Sequence, residues 1–322
     1  MTLLVGTPSG LYRADPDGTE LPFDAGTAER TLTAAVRWVR TAGGVALAAT
    51  DEGLYRSTDG REWERFDVYA RDVTAVLRAP GGERTYVGTM PVGVYYTDDW
   101  EHWRRCDAIE ALPARDRWRD RARRGDALVR ALAAHPDAPD RVLVGIESGG
   151  VLISDDRGDS WRECSLGVHD DVHHLLAVEA DTYVAATGDG LYRTTDAGDT
   201  WLRLDTDHRD FWYSYHREST IHRGRFVTAA LAMGRQDLDE RGAIYEGDVD
   251  ADARSFERLS HPGDHESFVV SFASDGDDLL AGTMRVRNGF ERRQPARVLR
   301  REAEGWTAIG IVPAAASSLA VL

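Results

Sequence analysis

One pattern recurs along the chain: a small residue, two or three apolar residues, an Asp-rich polar turn, then a large aromatic. "GLYRSTDGREW" ends at Trp63, "GVYYTDDWEHW" at Trp103, "GVLISDDRGDSW" at Trp161 and "GLYRTTDAGDTW" at Trp201. Looser copies, "GAIYEGDVDADARSF" and "ARVLRREAEGW", end at Phe256 and Trp306, and a partial one, "GLYRADPDGTEL", ends at Leu21. From Leu21 the ends are spaced by 42, 40, 58, 40, 55 and 50 residues. A unit of about 40 residues is one supersecondary piece that must bury its apolar face against its neighbours. Seven such units fit propeller blades of about 40–45 residues.

Each unit reads as four short strands, labelled A to D outward from the centre. In residues 72–106 these are "DVTAVLRA", "RTYVGT", "GVYYT" and "HWRRC", divided by Gly and Asp clusters that mark hairpins. The ends do not match whole blades. The chain begins on a B strand, "TLLVGT", and finishes with "ASSLAVL", which aligns with the A strand "VTAVLRA". The C-terminus is therefore expected to supply the inner strand of the first blade, closing the ring and protecting its edges. The expected fold is an all-β, seven-bladed propeller of four-stranded antiparallel blades, with residues 1–322 forming one domain.

Composition narrows the setting. The 322 residues carry 36 Asp and 19 Glu against 39 basic residues, all of them Arg, for a net charge of -16. An Asp-heavy surface without lysine suits molar salt, where the Debye length falls to roughly 3 Å and carboxylate repulsion is screened. This implies a halophilic source, such as a haloarchaeon; GC-rich codon usage is the alternative. "MTLLVGTPSG" lacks a basic n-region and cleavage site, so no signal peptide is expected. The apolar run at 310–322 is shorter than the about 20 residues a membrane helix needs. A cytoplasmic location without membrane contact is expected, and the net charge disfavours nucleic acid.

The recurring turn resembles the Asp-box, or BNR repeat, Ser/Thr-x-Asp-x-Gly-x-Thr/Ser-Trp, found in a superfamily that includes sialidases and sortilin-like receptors. Two copies match fully: Ser154, Asp156, Gly158 and Trp161, and Thr194, Asp196, Gly198 and Trp201. Ser57, Asp59 and Trp63 form a copy one residue short, and the copy read with Asp98 and Trp103 lacks the Gly. Asp and Ser/Thr side chains accept bonds from nearby backbone N–H groups, Gly takes a positive φ, and Trp buries a large face. These residues are accordingly read as structural. The resemblance implies that the turn lies on the face away from any ligand. Cys106 and Cys164 each follow a motif Trp by three residues, a slot otherwise filled by Phe66, Leu204 or Leu259. They are read as small hydrophobes too far apart to bridge.

Function is sought on the opposite face, where D–A and B–C loops open. The extra segments 107–126, 205–211, 234–242, 260–265 and 285–296 all fall there. "ARDRWRDRARR", 114–124, carries six Arg and suggests a short helix with Asp120 and Arg124 at i,i+4 spacing. "RVRNGFERRQ", 285–294, adds four Arg. A basic patch on an acidic protein suggests an anionic ligand or acidic partner; internally paired Arg–Asp surface is the alternative. Near the expected channel mouth stand His173, His174, Tyr213, Tyr215, His216, Arg217 and His265, with His261 beside the last; Arg130 and Glu147 are further ligand-binding candidates. Histidines there suit a base, a metal ligand or hydrogen-bonded lining. No HExxH or paired-Cys signature supports a metal, and "DVDAD", 248–252, lacks the Gly and final acid of a calcium loop. No cofactor is expected.

Three functions follow. The first is a non-catalytic binding propeller, a monomer holding a small anion or partner protein, as Asp-box sorting receptors and photosystem-assembly factors do. The second is a glycoside hydrolase. Resemblance to sialidases implies an Arg clamp, a Tyr–Glu pair and an Asp acid, for which Arg130, Arg217, Tyr213, Glu147 and Asp171 are candidates. The Phe/Tyr-Arg-Ile-Pro signature of that family is missing; Leu77-Arg78-Ala79-Pro80, the nearest string, ends an A strand and falls on the other face. A metal-dependent lactonase or lyase is the third.

Overall fold

The computed structural model describes residues 1–322 apart from 16–22, 25–26, 71, 121–124, 206–212, 234–240, 251–255, 261–266, 288 and 304, and apart from the side chains of 119, 120 and 125. Seven four-stranded antiparallel sheets form a seven-bladed propeller. The inner (A) strands of blades 2 to 7 are Val36–Ala42, Val73–Arg78, Leu128–His135, Val172–Ala177, Tyr213–His222 and Ser267–Asp275. The first blade is built from both ends of the chain. Its inner strand is Ser318–Val321, paired with Leu3–Thr7 in the register Leu3↔Val321 to Gly6↔Ser318. Ring closure by the C-terminal segment is thus as expected.

The blades touch through the face of each B strand. Gly88 lies where an added Cβ would stand 2.2 Å from Val129 Cγ1 of the next inner strand, and Gly145 where it would stand 2.6 Å from Val172 Cγ1. Only glycine lets the sheets approach this closely. A second device holds the B–C turns. The Oγ1 of Thr7, Thr50 and Thr187 donates to the carbonyls of Gly10, Gly53 and Gly190, each at 2.8 Å. The string Thr-x-x-Gly carries this signal.

The Asp-rich turns join C to D strands on the opposite face. Ser154 Oγ donates to Asp156 Oδ1 at 2.7 Å and accepts from the Gly158 N–H at 2.7 Å, while the Ser160 N–H donates to Asp156 at 2.8 Å. Thr194, Asp196, Gly198 and Thr200 repeat this arrangement. Hydrogen bonds from Ser160 and Thr200 hold both carboxyls down, at about 2. Asp59 likewise accepts from the backbone of Arg61 and Glu62. One assignment moves. Asp99, not Asp98, closes the turn before Trp103: it bonds Thr97 and the N–H groups of Glu101 and His102. The Ser/Thr-x-Asp spacing requires the second residue after Thr97. Asp98 instead binds Arg84 at 2.7 and 2.8 Å.

Each motif Trp packs against the preceding blade. Trp201 Nε1 donates to the Cys164 carbonyl, and Trp63 Nε1 to Thr31 Oγ1. Cys106 and Cys164 are free and buried in these seams, and burial pushes their thiols up to about 12 and about 11.

Among the described residues of 107–126 there is no α-helix. The segment makes 3-10 turns at Asp107–Ala111 and Pro113–Arg117, followed by paired strands Arg119–Asp120 and Gly125–Asp126. Ile109, Ala114 and Trp118 bury themselves in the core, and this anchoring overrides helical spacing. The expected Asp120–Arg124 contact lies outside the described residues. Two arginines here are internally paired: Arg115 with Glu110, and Arg117 with Glu163.

Candidate functional site

The inner strands share a local irregularity. In blades 2 to 7 the register with the B strand slips near the start, between Val36 and Trp38, Val73 and Ala75, Val129 and Ala131, Val172 and His174, Tyr213 and Tyr215, and Val269 and Ser271. The skipped residues are Arg37, Thr74, Arg130, His173, Ser214 and Val270. A β-bulge re-aims the side chain it carries. Blade 6 has a second slip between His216 and Ser219, which places Arg217 and Glu218 in another bulge.

These bulges build the channel mouth on the face carrying the D–A and B–C loops. A cavity of about 90 Å³ there is lined by Arg37, Arg130, Arg217 and Arg292, with Tyr215 and Phe290. The arginines differ in their partners. Arg37 reaches Asp72 at 3.3 Å, and Arg130 reaches Glu147 at 3.3 Å. Arg130 Nε is buried and makes no hydrogen bond among the described residues. Arg217 forms no ion pair with a described residue. Tyr215 packs on His173, Phe268 and Phe290 with ring centroids 4.6, 6.2 and 5.3 Å away, and burial holds its phenol far above the usual range.

Of the other expected residues, His173 and His216 are buried lining. His173 Nδ1 lies 2.7 Å from the His216 carbonyl, and its Nε2 lies 3.4 Å from Asp171. Burial alone would raise the Asp171 carboxyl, but the neighbouring His173 holds it below its ordinary value. His216 contacts Thr228 Oγ1 at 3.3 Å and Asp205 at 3.7 Å. Tyr213 is not at the mouth: its hydroxyl accepts from Arg258 on the outer strand of its own blade at 3.1 Å. His261 and His265 lie outside the described residues, as do the last two positions of 248–252. Among the described residues no three His, Cys, Asp or Glu side chains group as a metal site.

His174 turns down the channel, into a second cavity of about 250 Å³ that also touches Arg130. There it meets two groups the sequence did not single out. Glu218 is buried; its Oε1 lies 3.1 Å from Arg40 Nη2 and 3.8 Å from His174 Nε2, and its Oε2 accepts from the Phe272 N–H at 3.2 Å. Arg40 stacks over Trp38 with its Cζ 4.1 Å from the ring centroid. Burial pushes Glu218 up to about 7, although Arg40 opposes it, and pushes His174 down to about 3. An interior ion pair linking blades 2 and 6 has no local sequence signature, because its partners are 178 residues apart.

The carboxylates expected for glycoside hydrolysis are engaged: Glu147 by Arg130 and Asp171 by His173. What the mouth offers is four guanidinium groups, two of them facing Asp72 and Glu147, beside the aromatic walls of Tyr215 and Phe290.

No protein-family model matches the sequence, and no curated protein matches it. Solved structures do resemble the chain. An ancestral GH74 enzyme aligns with a TM-score of 0.60 at 15% identity, covering 86% of this chain and 38% of that one. The GH74 xyloglucanase of Xanthomonas campestris aligns with a TM-score of 0.60 at 17% identity, over 85% of this chain and 45% of that one. An extracellular domain assigned to a one component system of B. thetaiotaomicron gives a TM-score of 0.54 at 13% identity, over 95% of this chain and 39% of that one. This chain therefore spans less than half the length of each. At such identities the likeness is one of fold, and the fold they share with this chain is the β-propeller.

Proposed function

We propose that this protein is a non-catalytic binding propeller of the Asp-box type that holds a small anion, or a carboxylate of a partner protein, at its channel mouth. The observation that carries the reading is the mouth cavity walled by Arg37, Arg130, Arg217 and Arg292. Arg217 has no carboxylate partner among the described residues, and a buried Arg130 Nε lacks a hydrogen bond there. A charge-assisted bond to an anion would satisfy both. The Asp-box assignment is supported by the repeated turn geometry of Asp59, Asp99, Asp156 and Asp196.

The test is calorimetric titration of acetate, phosphate and citrate at constant ionic strength. At least one should bind, and Arg217→Ala should weaken it on the order of 10- to 100-fold, the worth of one lost charge-assisted contact. An Arg217→Ala protein that binds the anions as the parent does removes the reading.

We further propose that the protein works in a salt-rich medium, a reading supported by the net charge of -16 and the absence of lysine. Among the described residues no helix is long and apolar enough to cross a membrane. Raising KCl from about 0.1 to about 1 M shortens the Debye length from roughly 10 to roughly 3 Å. Thermal midpoints measured across that range should climb by several degrees; a flat or falling trend contradicts the salt-adapted reading.

A further inference from the structure

We infer that the lower channel cavity is a second binding site, which takes a monocarboxylate with a small apolar body together with one proton. The inference does not rest on the mouth reading. The cavity, at about 250 Å³, lies among the inner strands of blades 2 to 5; Val76, Leu77, Leu132 and Leu175 supply apolar wall, and Arg40, Arg130 and His174 supply polar wall. A cavity of about 150 Å³ already accommodates benzene, so an aromatic acid fits this one. The cation that carries the inference is the Arg40 guanidinium.

Arg40 is held in place from behind. Nη1 donates to the Val39 carbonyl at 3.1 Å and to Ser318 Oγ at 3.3 Å, and Nη2 donates to Glu218. Its side chain is 32% exposed, against 5% for Glu218. An incoming carboxylate therefore meets the open side of a guanidinium whose other side already faces a buried carboxylate. Two carboxylates crowded on Arg40 out of water, with the next cation, Arg130, already engaged by Glu147, cannot both stay charged cheaply, so one takes up a proton. Glu218 is the group that does so.

The groups facing Glu218 are Arg40 from blade 2, Arg130 from blade 4, His174 from blade 5 and the Phe272 N–H from blade 7. His174 accepts from the Ser219 N–H through Nδ1 at 3.5 Å, which leaves Nε2–H directed at Glu218. Burial and the Arg40 charge keep this imidazole neutral at ordinary pH. Blade 3 contributes Ala75, Val76 and Leu77, none of which is charged. Glu218 is thus the one described group beside the cavity whose charge changes near neutrality, and its raised carboxyl at about 7 agrees. The sign follows: below about 7 the carboxyl is neutral and Arg40 is free to pair with the ligand, whereas above it Glu218 competes.

Benzoate is the probe. Calorimetric titration of the full chain at fixed chloride should give binding at pH 6 that weakens on the order of tenfold between pH 7 and 8.5, the behaviour of one linked proton. Heats measured at pH 8 in Tris and in HEPES should differ by the amount that reports about one proton taken up per benzoate. Glu218→Gln keeps an acceptor for the Phe272 N–H. It should bind benzoate with the same affinity from pH 6 to 8.5, while Arg40→Gln should lose binding. The proton count on the unmodified protein stands even where a variant fails to fold. Absence of benzoate binding at pH 6, or binding in the unmodified protein that is equally tight at pH 6 and 8.5, overturns the inference.

Discussion

Removing residues 317–322 should abolish the cooperative thermal transition of the entire ring. The deleted segment contains the strand Ser318–Val321, which pairs residue for residue with Leu3–Gly6. Its side chains join two sheets. Leu319 sits in the cluster with Leu3, Val5 and Val298, and Ala320 in the cluster with Leu4, Val36 and Val39. Ser318 Oγ accepts from the Val39 N–H at 3.0 Å and donates to the Val39 carbonyl at 3.2 Å, tying the strand to blade 2. Deletion exposes the edge of Leu3–Thr7 and opens the ring at one seam, so blades 1 and 2 lose their common wall. Total stabilities of roughly 5–15 kcal/mol leave little margin for such a loss. Calorimetry should show a broad, early transition, and hydrogen exchange should quicken in blades far from the cut. A truncated chain whose fast exchange is confined to residues 3–32 would show that the blades are independent, and would count against the closure argument.

Trp201→Ala should destabilise the protein by about 3–5 kcal/mol, the cost of emptying a well-packed aromatic site. Trp201 is buried against Leu143, Ile153 and Cys164 of the preceding blade, and its Nε1 donates to the Cys164 carbonyl at 2.8 Å. The substitution removes the largest side chain from the seam between blades 4 and 5 and leaves that carbonyl without its donor. Gly198, in the same turn, already packs tightly on Ile153, so the seam cannot readily collapse into the space. Denaturant unfolding gives the measurement, with the midpoint falling and the slope held. A loss below about 1 kcal/mol would mean that the motif Trp is a surface feature rather than the bolt between blades. The contrast with Leu202, the next residue, sharpens the test: it is 62% exposed, and its replacement by Ala should be nearly silent.

The fold was legible because it is written repeatedly and locally. Thr194, Asp196, Gly198 and Trp201 lie within eight residues, so hydrogen-bond donors, acceptors and the positive-φ glycine meet through turn geometry alone. The same holds for strand alternation and for the mismatch of the two chain ends. One slip, Asp98 for Asp99, occurred where adjacent aspartates left the choice to register; another, a helix read into 107–126, occurred where core anchoring by Ile109, Ala114 and Trp118 overrode the local spacing. The candidate site was legible only in part. Arg217 and Tyr215 were singled out from their place at an inner-strand start, and Arg130 as a candidate for an Arg clamp; all three line one cavity. Arg37 was missed because nothing in "AAVRWVR" announces a bulge. Glu218 and Arg40 were missed because each looks like an ordinary charged residue in a strand. The Arg-rich segment at 114–124 drew attention by composition, yet its Arg115 and Arg117 are taken by glutamates.

The sequence by itself determined the number of blades, the joining of the two ends, and the face on which the loops lie, since these depend on short-range turns and on strand count. Tertiary structure alone decided which charges face one another. Seven inner strands converge on one axis, and their bulges bring Arg37, Arg130 and Arg217 to a common cavity from three different blades. Burial in that channel then sets the charge of Glu218 and His174, because desolvation depends on every blade around them and on no local stretch of chain.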